Sequence, residues 1–270
     1  MLKVADLSGE TEESTTALAH SLLARPEGET ANRRRFLNLL KLSLTDLLYE
    51  DDPAWRRRQI EGWDWPPRAQ TMVGLHRLAN LERCVEHVLA RGVPGDFVEA
   101  GAWRGGASIF LRALLEAYDV PDRVVWVADS FAGMPRPDPS RYPADAGIDL
   151  SRVARLTVPL AEVRRNFRRY GLLDERVRFL EGWFRDTLPT APIGPIAVLR
   201  LDGDLYESTM NVLTHLYPRV SPGGCVVVDD HWFPPCRKAM DDYRTMHGIG
   251  EEVRRIDTQG AFWVKREGPA

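Results

Sequence analysis

The stretch Phe97-Val98-Glu99-Ala100-Gly101-Ala102-Trp103-Arg104-Gly105-Gly106 constrains the fold of this chain more than any other. An apolar run ending in an acid, a glycine-rich turn and a helical pattern from about Ser108 read as a buried strand feeding a helix. In a doubly wound α/β sheet, ligands bind beyond the carboxyl ends of the strands, above turns of this kind. Glycine lets the backbone approach a ligand closely, and the helix N-terminus presents free N–H groups. A dinucleotide-binding turn would carry G-x-G-x-x-G with a pyrophosphate over it. Here Glu99 leads the turn, and a carboxylate repels a diphosphate while suiting hydroxyls or a cation. The pattern favours a nucleoside without phosphates, such as S-adenosylmethionine, over Gly101. A plain structural strand-to-helix turn remains the alternative.

From residue 97 onward, strand and helix patterns alternate. Strands are expected from Phe97 and at 124–128, 177–180, 196–201 and 225–228, with helices at 108–118, 159–170, 208–217 and 234–247 between and after them. An antiparallel pair at 253–257 and 261–265 closes the chain. This order predicts an α/β, Rossmann-like architecture: a mostly parallel seven-stranded sheet with helices on both faces. Two amphipathic helices are expected before it. The first, at 32–49, carries Phe36, Leu37, Leu40, Leu44, Leu47 and Leu48 on one face, for packing or for substrate entry. The second spans 71–90. Between them, 51–67 holds Trp55, Trp63, Trp65 and paired prolines and reads as a loop lining either a substrate mouth or a subunit interface. Residues 1–31 have weak periodicity, with a short helix expected at 16–24. The expected division is a helical extension and lid at 1–67 and an α/β domain at 68–270. A second long loop, 133–159, is proline-rich and follows the second strand, so it reads as a lid over the active face. The arginines 164, 165, 168 and 169 read as a solvated helix face rather than a phosphate patch.

The five parallel strands are expected to end in Glu99, Asp129, Glu181, Asp202 and Asp229. Acids so close along one sheet edge need an offsetting charge, which a sulfonium, ribose hydroxyls and a divalent cation would supply together. Asp129 is placed to accept both ribose hydroxyls of a nucleoside over the first strand. Trp183 follows the third strand, placed to stack on adenine. Asp202, Asp229 and Asp230 fall at the tips of neighbouring strands, where carboxylate oxygens suit a hard cation, Mg²⁺ above all. Such an ion lowers the pKa of an aliphatic hydroxyl, and a nearby carboxylate takes its proton. Two unrelated strand-end caps are the competing account.

A net charge of -3 offers no electrostatic case for a nucleic-acid partner. The three cysteines, Cys84, Cys225 and Cys236, have neither metal-ligand spacing nor a disulfide pattern, which points to the reduced cytoplasm. Residues 1–16 lack a basic start followed by an apolar run, and no apolar segment reaches membrane-spanning length, so neither a secretory leader nor a membrane partner is expected.

The segments Gly95-Asp96-Phe97-Val98-Glu99, Arg104-Gly105-Gly106, Val127-Ala128-Asp129-Ser130-Phe131, Gly182-Trp183-Phe184, Leu201-Asp202-Gly203-Asp204-Leu205-Tyr206 and Val228-Asp229-Asp230 resemble the macrocin O-methyltransferase family, in order and with matching spacing from about Arg68 to Lys265. Members of that family methylate sugar hydroxyls on macrolide and aminocoumarin antibiotics. The resemblance implies a class I S-adenosylmethionine-dependent fold over 68–270 and a deoxysugar hydroxyl of a glycosylated natural product as the acceptor. It implies cofactor contacts at Thr71, Met72, Glu99, Ala100, Gly101, Trp103, Arg104, Ser108, Asp129, Ser130, Gly182, Trp183 and Asp202. It also implies Mg²⁺ at Asp202, Asp229 and Asp230, with Asp202 as the base. Ala100 stands where threonine is common in the family, and His231 stands where an aromatic residue is frequent, which makes His231 a second candidate base. The added N-terminal helices suit a homodimer or larger assembly.

Two other classes compete. A nicotinamide-dependent sugar-modifying enzyme needs Tyr-x-x-x-Lys and the glycine fingerprint, and this chain has neither. A non-catalytic nucleoside-binding module would keep the fold without the chemistry, but Asp202, Asp229 and Asp230 argue for an enzyme.

Overall fold

The computed structural model describes residues 28, 30–49 and 52–266, so the helix expected at 16–24 lies outside the described residues. The described residues form eight α-helices in chain order: α1 (Ala31–Leu44), α2 (Pro53–Glu61), α3 (Leu75–Ala90), α4 (Gly106–Ala117), α5 (Leu160–Arg169), the single turn α6 (Phe184–Thr187), α7 (Tyr206–Leu216) and α8 (Pro234–Met246). The strands are β1 (Asp96–Ala100), β2 (Val125–Asp129), β3 (Val177–Glu181), β4 (Ile196–Leu201), β5 (Val220–Val228), β6 (Arg254–Arg255) and β7 (Ala261–Val264). They form one seven-stranded sheet in the order β3-β2-β1-β4-β5-β7-β6. β1 to β5 are parallel, and β7 runs antiparallel to both β5 and β6. The expected α/β architecture is the one observed.

Strand alternation builds a core on each face. Val98, Ala100, Leu199, Leu201, Val226 and Val228 pack with Leu213 and Leu216 of α7 and Met240 of α8. Phe97, Val125, Val127, Val198 and Val227 face the other way, onto residues of α3, α4 and α5 such as Leu81, Phe110 and Phe167. A parallel sheet covered on both faces needs near-continuous apolar strands, and all six residues of β4 are buried. One of the six is Arg200, and its partners organise the site.

Several boundaries differ from expectation for local reasons. α1 stops at Leu44 rather than running to residue 49. The Thr45 hydroxyl donates to the Lys41 carbonyl at 2.8 Å, and Asp46 takes a left-handed φ of 62°. Leu47 then tucks under with Leu42, Ile60 and Leu75, while Phe36 and Leu48 stay exposed. Leu37, Leu40 and Leu44 join the same core as Phe110 and Val198. Residues 71–74 precede α3 instead of beginning it. Strand β5 starts at Val220, with a register shift against β4 where Pro222-Gly223-Gly224 passes.

The largest correction is α2, which occupies part of the expected loop. Asp52 accepts N–H bonds from Ala54 and Trp55 at 2.8 and 3.2 Å, Pro53 fills the first turn, and Gly62 closes the helix at φ 73°. Those are the start and stop signals of a helix; the tryptophans and three consecutive arginines obscure its amphipathic period. Asp52→Ala is expected to cost about 1 kcal/mol by denaturant unfolding.

The segment from Gly133 to Pro159 contains three single 3₁₀ turns, Pro143–Asp145, Leu150–Arg152 and Ala154–Leu156. It lies against the sheet's carboxyl edge, with Met134, Pro135 and Leu156 on a cleft there.

Candidate active site

The cleft, about 710 Å³ including its open mouth, lies over the turn after β1. Gly101 has φ 95°, and a Cβ there would meet the Asp202 carbonyl oxygen at 1.7 Å. Only glycine lets the tips of β1 and β4 come this close, so Gly101→Ala is expected to cost at least ~3 kcal/mol and to abolish nucleoside binding. Unfolding and calorimetry of the purified variant check this. Asp129, at the tip of β2, accepts from Ala102 N–H at 2.7 Å and from Phe131 N–H at 2.7 Å. It therefore shapes the glycine turn as well as lining the cleft. Burial raises its pKa, and these N–H donors offset only part of that rise. Trp103, Phe131 and Asp204 hold left-handed φ values of 49°, 51° and 55° in the turns after β1, β2 and β4. Such strain in non-glycine residues tends to cluster at functional sites.

The acids at the strand tips are offset by the chain's own cations as well as by any ligand. Glu99 and Arg200 lie opposite each other in the β1–β4 register. Arg200 Nη1 donates to Glu99 Oε1 at 2.6 Å, and its Nη2 donates to Asp202 Oδ2 at 2.8 Å and Asp229 Oδ1 at 2.6 Å. Arg77, from α3, takes the other Asp229 oxygen and reaches Asp257 at 3.1 Å. Both guanidiniums are buried. Burial alone would raise the Asp229 pKa, but Arg200 and Arg77 outweigh it and hold the group ionised.

With Asp229 committed to two guanidiniums, the acids that converge are Asp202, Asp204 and Asp230. One carboxylate oxygen from each lies within 4.8 Å of the others. Asp204 lies in this group, and Asp229, expected there, does not. The Asp204 backbone N–H donates to Asp230 Oδ2 at 3.0 Å, fixing the two chain segments together. Burial, then Asp202 and Asp229, pushes Asp204 up to about 7. Asp230 rises well above the usual carboxylate range through burial and its three acidic neighbours, Asp204, Asp202 and Asp229. Asp202 also rises, from burial and Asp229, with Arg200 opposing. An all-oxygen, mutually repelling donor set of this kind fits a hard divalent cation.

Of the residues expected to contact the cofactor, Met72, Gly101, Trp103, Asp129, Ser130, Trp183 and Asp202 line the cleft. Glu99 and Ser108 do not; both are buried, with Ser108 donating to Glu99 while Arg200 takes the other Glu99 oxygen. Ala100 is buried in the core, and Gly182 lies off the cleft. Thr71 is buried and accepts from Val73 N–H at 3.0 Å. Arg104 braces the segment before α3, donating to the carbonyls of Pro67 and Ala69 at 2.9 and 2.8 Å. His231 is also off the cleft: burial lowers its pKa, and its charged neighbours are Arg237, Asp241 and Arg255. Asp204, Arg185, Glu207, Ser208 and Asn211 line the cleft without having been expected there.

A twisted α/β sheet with its cleft above the β1 turn defines a Rossmann-like methyltransferase of class I. Residues 19–265 match the model of the macrocin O-methyltransferase family, and the chain belongs to that family. It is an S-adenosylmethionine-dependent O-methyltransferase. Among its relatives, mycinamicin III 3''-O-methyltransferase of Micromonospora griseorubida is 51% identical over 241 residues, covering 84% of this chain and 95% of that protein. Demethyldecarbamoylnovobiocin O-methyltransferase of Streptomyces niveus is 52% identical over 244 residues, covering 85% and 93%. The solved structure of the O-methyltransferase NovP superposes with a TM-score of 0.84 at 51% identity, covering 87% of this chain and all of that one. The calicheamicin methyltransferase CalS11, at 21% identity and TM-score 0.58, shares the fold. No helix among the described residues is long and apolar enough to cross a membrane.

Proposed function

We propose that this enzyme transfers the methyl group of S-adenosylmethionine to a deoxysugar hydroxyl of a glycosylated natural product, with Mg²⁺ at the acidic cluster. The observation that carries this reading is the convergence of Asp202, Asp204 and Asp230 beside a cleft lined by Gly101, Asp129 and Trp183. The relatives, named for methylating mycinamicin, a tetracenomycin rhamnoside and a novobiocin precursor, supply the acceptor class.

The donor supplies an electrophilic methyl on a sulfonium. A bound Mg²⁺ would polarise the acceptor hydroxyl and favour its ionisation. Asp202 and Asp230 are the residues that would hold it, and Arg200 fixes the Asp202 carboxylate in place. Asp204 lines the cleft with no guanidinium on it, whereas Arg200 holds the Asp202 carboxylate, so Asp204 is better placed than Asp202 to take the hydroxyl proton. Asp129 and Ser130 would hold the ribose, and Trp183 would stack on the adenine. With Met134, Pro135 and Leu156, Trp183 also excludes water. Holding donor and acceptor in line provides much of the acceleration.

The chain before residue 68 is proposed as a helical extension edging the acceptor entrance. It is tied there by Gln259 Nε2, which donates to the Glu61 and Gly62 carbonyls at 2.9 and 3.0 Å, and by Trp63 against Trp232 with ring centroids 5.6 Å apart. Exposed aromatics on this side suit a homodimer. Three free buried cysteines suit the reduced cytoplasm.

The test is methyl transfer from labelled S-adenosylmethionine to a panel of O-demethyl glycosides and their aglycones, with and without EDTA. Label should enter a glycoside, only with Mg²⁺, and never the bare aglycone. Labelling of the aglycone, or EDTA-resistant turnover, would refute the assignment.

A further inference from the structure

Helix α7 begins immediately after the Asp202-Gly203-Asp204 turn, and its own N-cap residue, Leu205, supplies no capping side chain. The acceptor comes instead from the lid, 61 residues earlier in the chain. Asp145 Oδ1 accepts from Tyr206 N–H at 2.7 Å and Oδ2 accepts from Glu207 N–H at 3.2 Å. Its carboxylate is fully buried. A buried anion at a helix N-terminus satisfies free N–H groups and meets the favourable end of the macrodipole. Around this cap the Tyr142 and Tyr206 rings lie 6.1 Å apart, and the Tyr206 hydroxyl donates to Asp242 of α8 at 2.9 Å. Nearer its end, the lid is tied to the cleft by Trp103 Nε1, which donates to the Arg155 carbonyl at 2.8 Å.

We infer that Asp145 is a positioning residue whose carboxylate pins the lid to α7 and thereby sets the Asp202–Asp204 turn against the lid that closes the cleft. The geometry couples two parts of the site that share no strand. Held, the cap keeps Met134, Pro135 and Leu156 over the cleft and fixes where α7 starts, hence where Asp204 points. Released, the lid loses its central anchor and the turn loses the helix end that braces it. The activity consequence rests on the methyl-transfer reading above; the anchoring does not.

The experiment compares wild type, Asp145→Asn and Asp145→Ala, each well below its own Tm. Asparagine keeps one acceptor oxygen and alanine keeps none. Trypsin cleavage at Arg141, Arg152 and Arg155, exposed in the lid, should quicken in the order wild type, Asn, Ala, by about tenfold at the end of the series. In the same order kcat should fall about tenfold while the KM for S-adenosylmethionine moves less. Unchanged cleavage overturns the inference whatever the activity does. Faster cleavage with an unchanged kcat overturns the positioning role and leaves a purely structural cap. If wild type transfers no methyl to any glycoside, the reading of function fails, and the cleavage series together with Mg²⁺ affinity decides the inference. Asp145→Ala should then weaken Mg²⁺ binding, and an unshifted affinity would overturn the link to the turn.

Discussion

Asp202→Asn should bind S-adenosylhomocysteine within a few-fold of wild type and turn over at least ~10³-fold more slowly. Its amide keeps the volume and one oxygen but loses the charge that Arg200 orients and that a cation would need. Asp204→Asn is expected to show a different pattern. It should retain Mg²⁺, because Asp202 and Asp230 remain, and lose kcat by about 10²–10⁴-fold, the usual worth of a positioned base. Calorimetry for Mg²⁺ and single-turnover kinetics on both variants separate holding the ion from taking the proton. Near-normal turnover in Asp202→Asn would remove that residue from the chemistry.

The second large effect is on stability. Arg200→Leu should lose about 3–5 kcal/mol, because it leaves Glu99 and Asp229 buried with one guanidinium fewer between them. For a chain of this size that corresponds to a fall in Tm of roughly 5–9 °C. The deficit should shrink as the pH falls, since protonated carboxyls no longer need the guanidinium. Wild type has a related signature. Asp204 has a raised folded pKa, so the folded state binds the extra proton between the ordinary aspartate value and about 7. Metal-free stability should therefore decline as pH rises through that window. Mg²⁺, which needs the ionised cluster, should raise Tm more at pH 8 than at pH 5.5. Thermal unfolding with and without the ion at both pH values checks the sign.

The sheet and the cleft position were legible because their signals are local. β1, its turn and α4 lie within about twenty consecutive residues, and the acids at the strand tips mark the carboxyl edge. The charge network was harder to see because it depends on register. Arg200 interrupts an otherwise apolar strand, which is itself a signal, since a buried guanidinium needs anionic partners. Placing it opposite Glu99, and on the same face as residues two further along, requires knowing which strands are neighbours and in what alignment. The Asp229-Asp230 pair shows the same limit. Consecutive residues at a strand end point to opposite faces, so Asp229 meets Arg200 and Arg77 while Asp230 meets Asp202 and Asp204. Asp204 had no assigned role in the sequence, and its place beside Asp230 depends on a left-handed backbone whose N–H donates to the Asp230 carboxylate. Asp145 carried no local signal at all, because the helix it caps begins 61 residues later.

The proposed chemistry needs one acidic cluster to grip one cation beside a nucleoside. Titration of Mg²⁺ into the enzyme saturated with S-adenosylhomocysteine, followed by calorimetry at pH 8, addresses it most directly. One saturable site per chain is expected, lost in Asp230→Asn and weakened in Asp202→Asn. A heat trace without saturation in wild type, or a site that survives both substitutions, would contradict it.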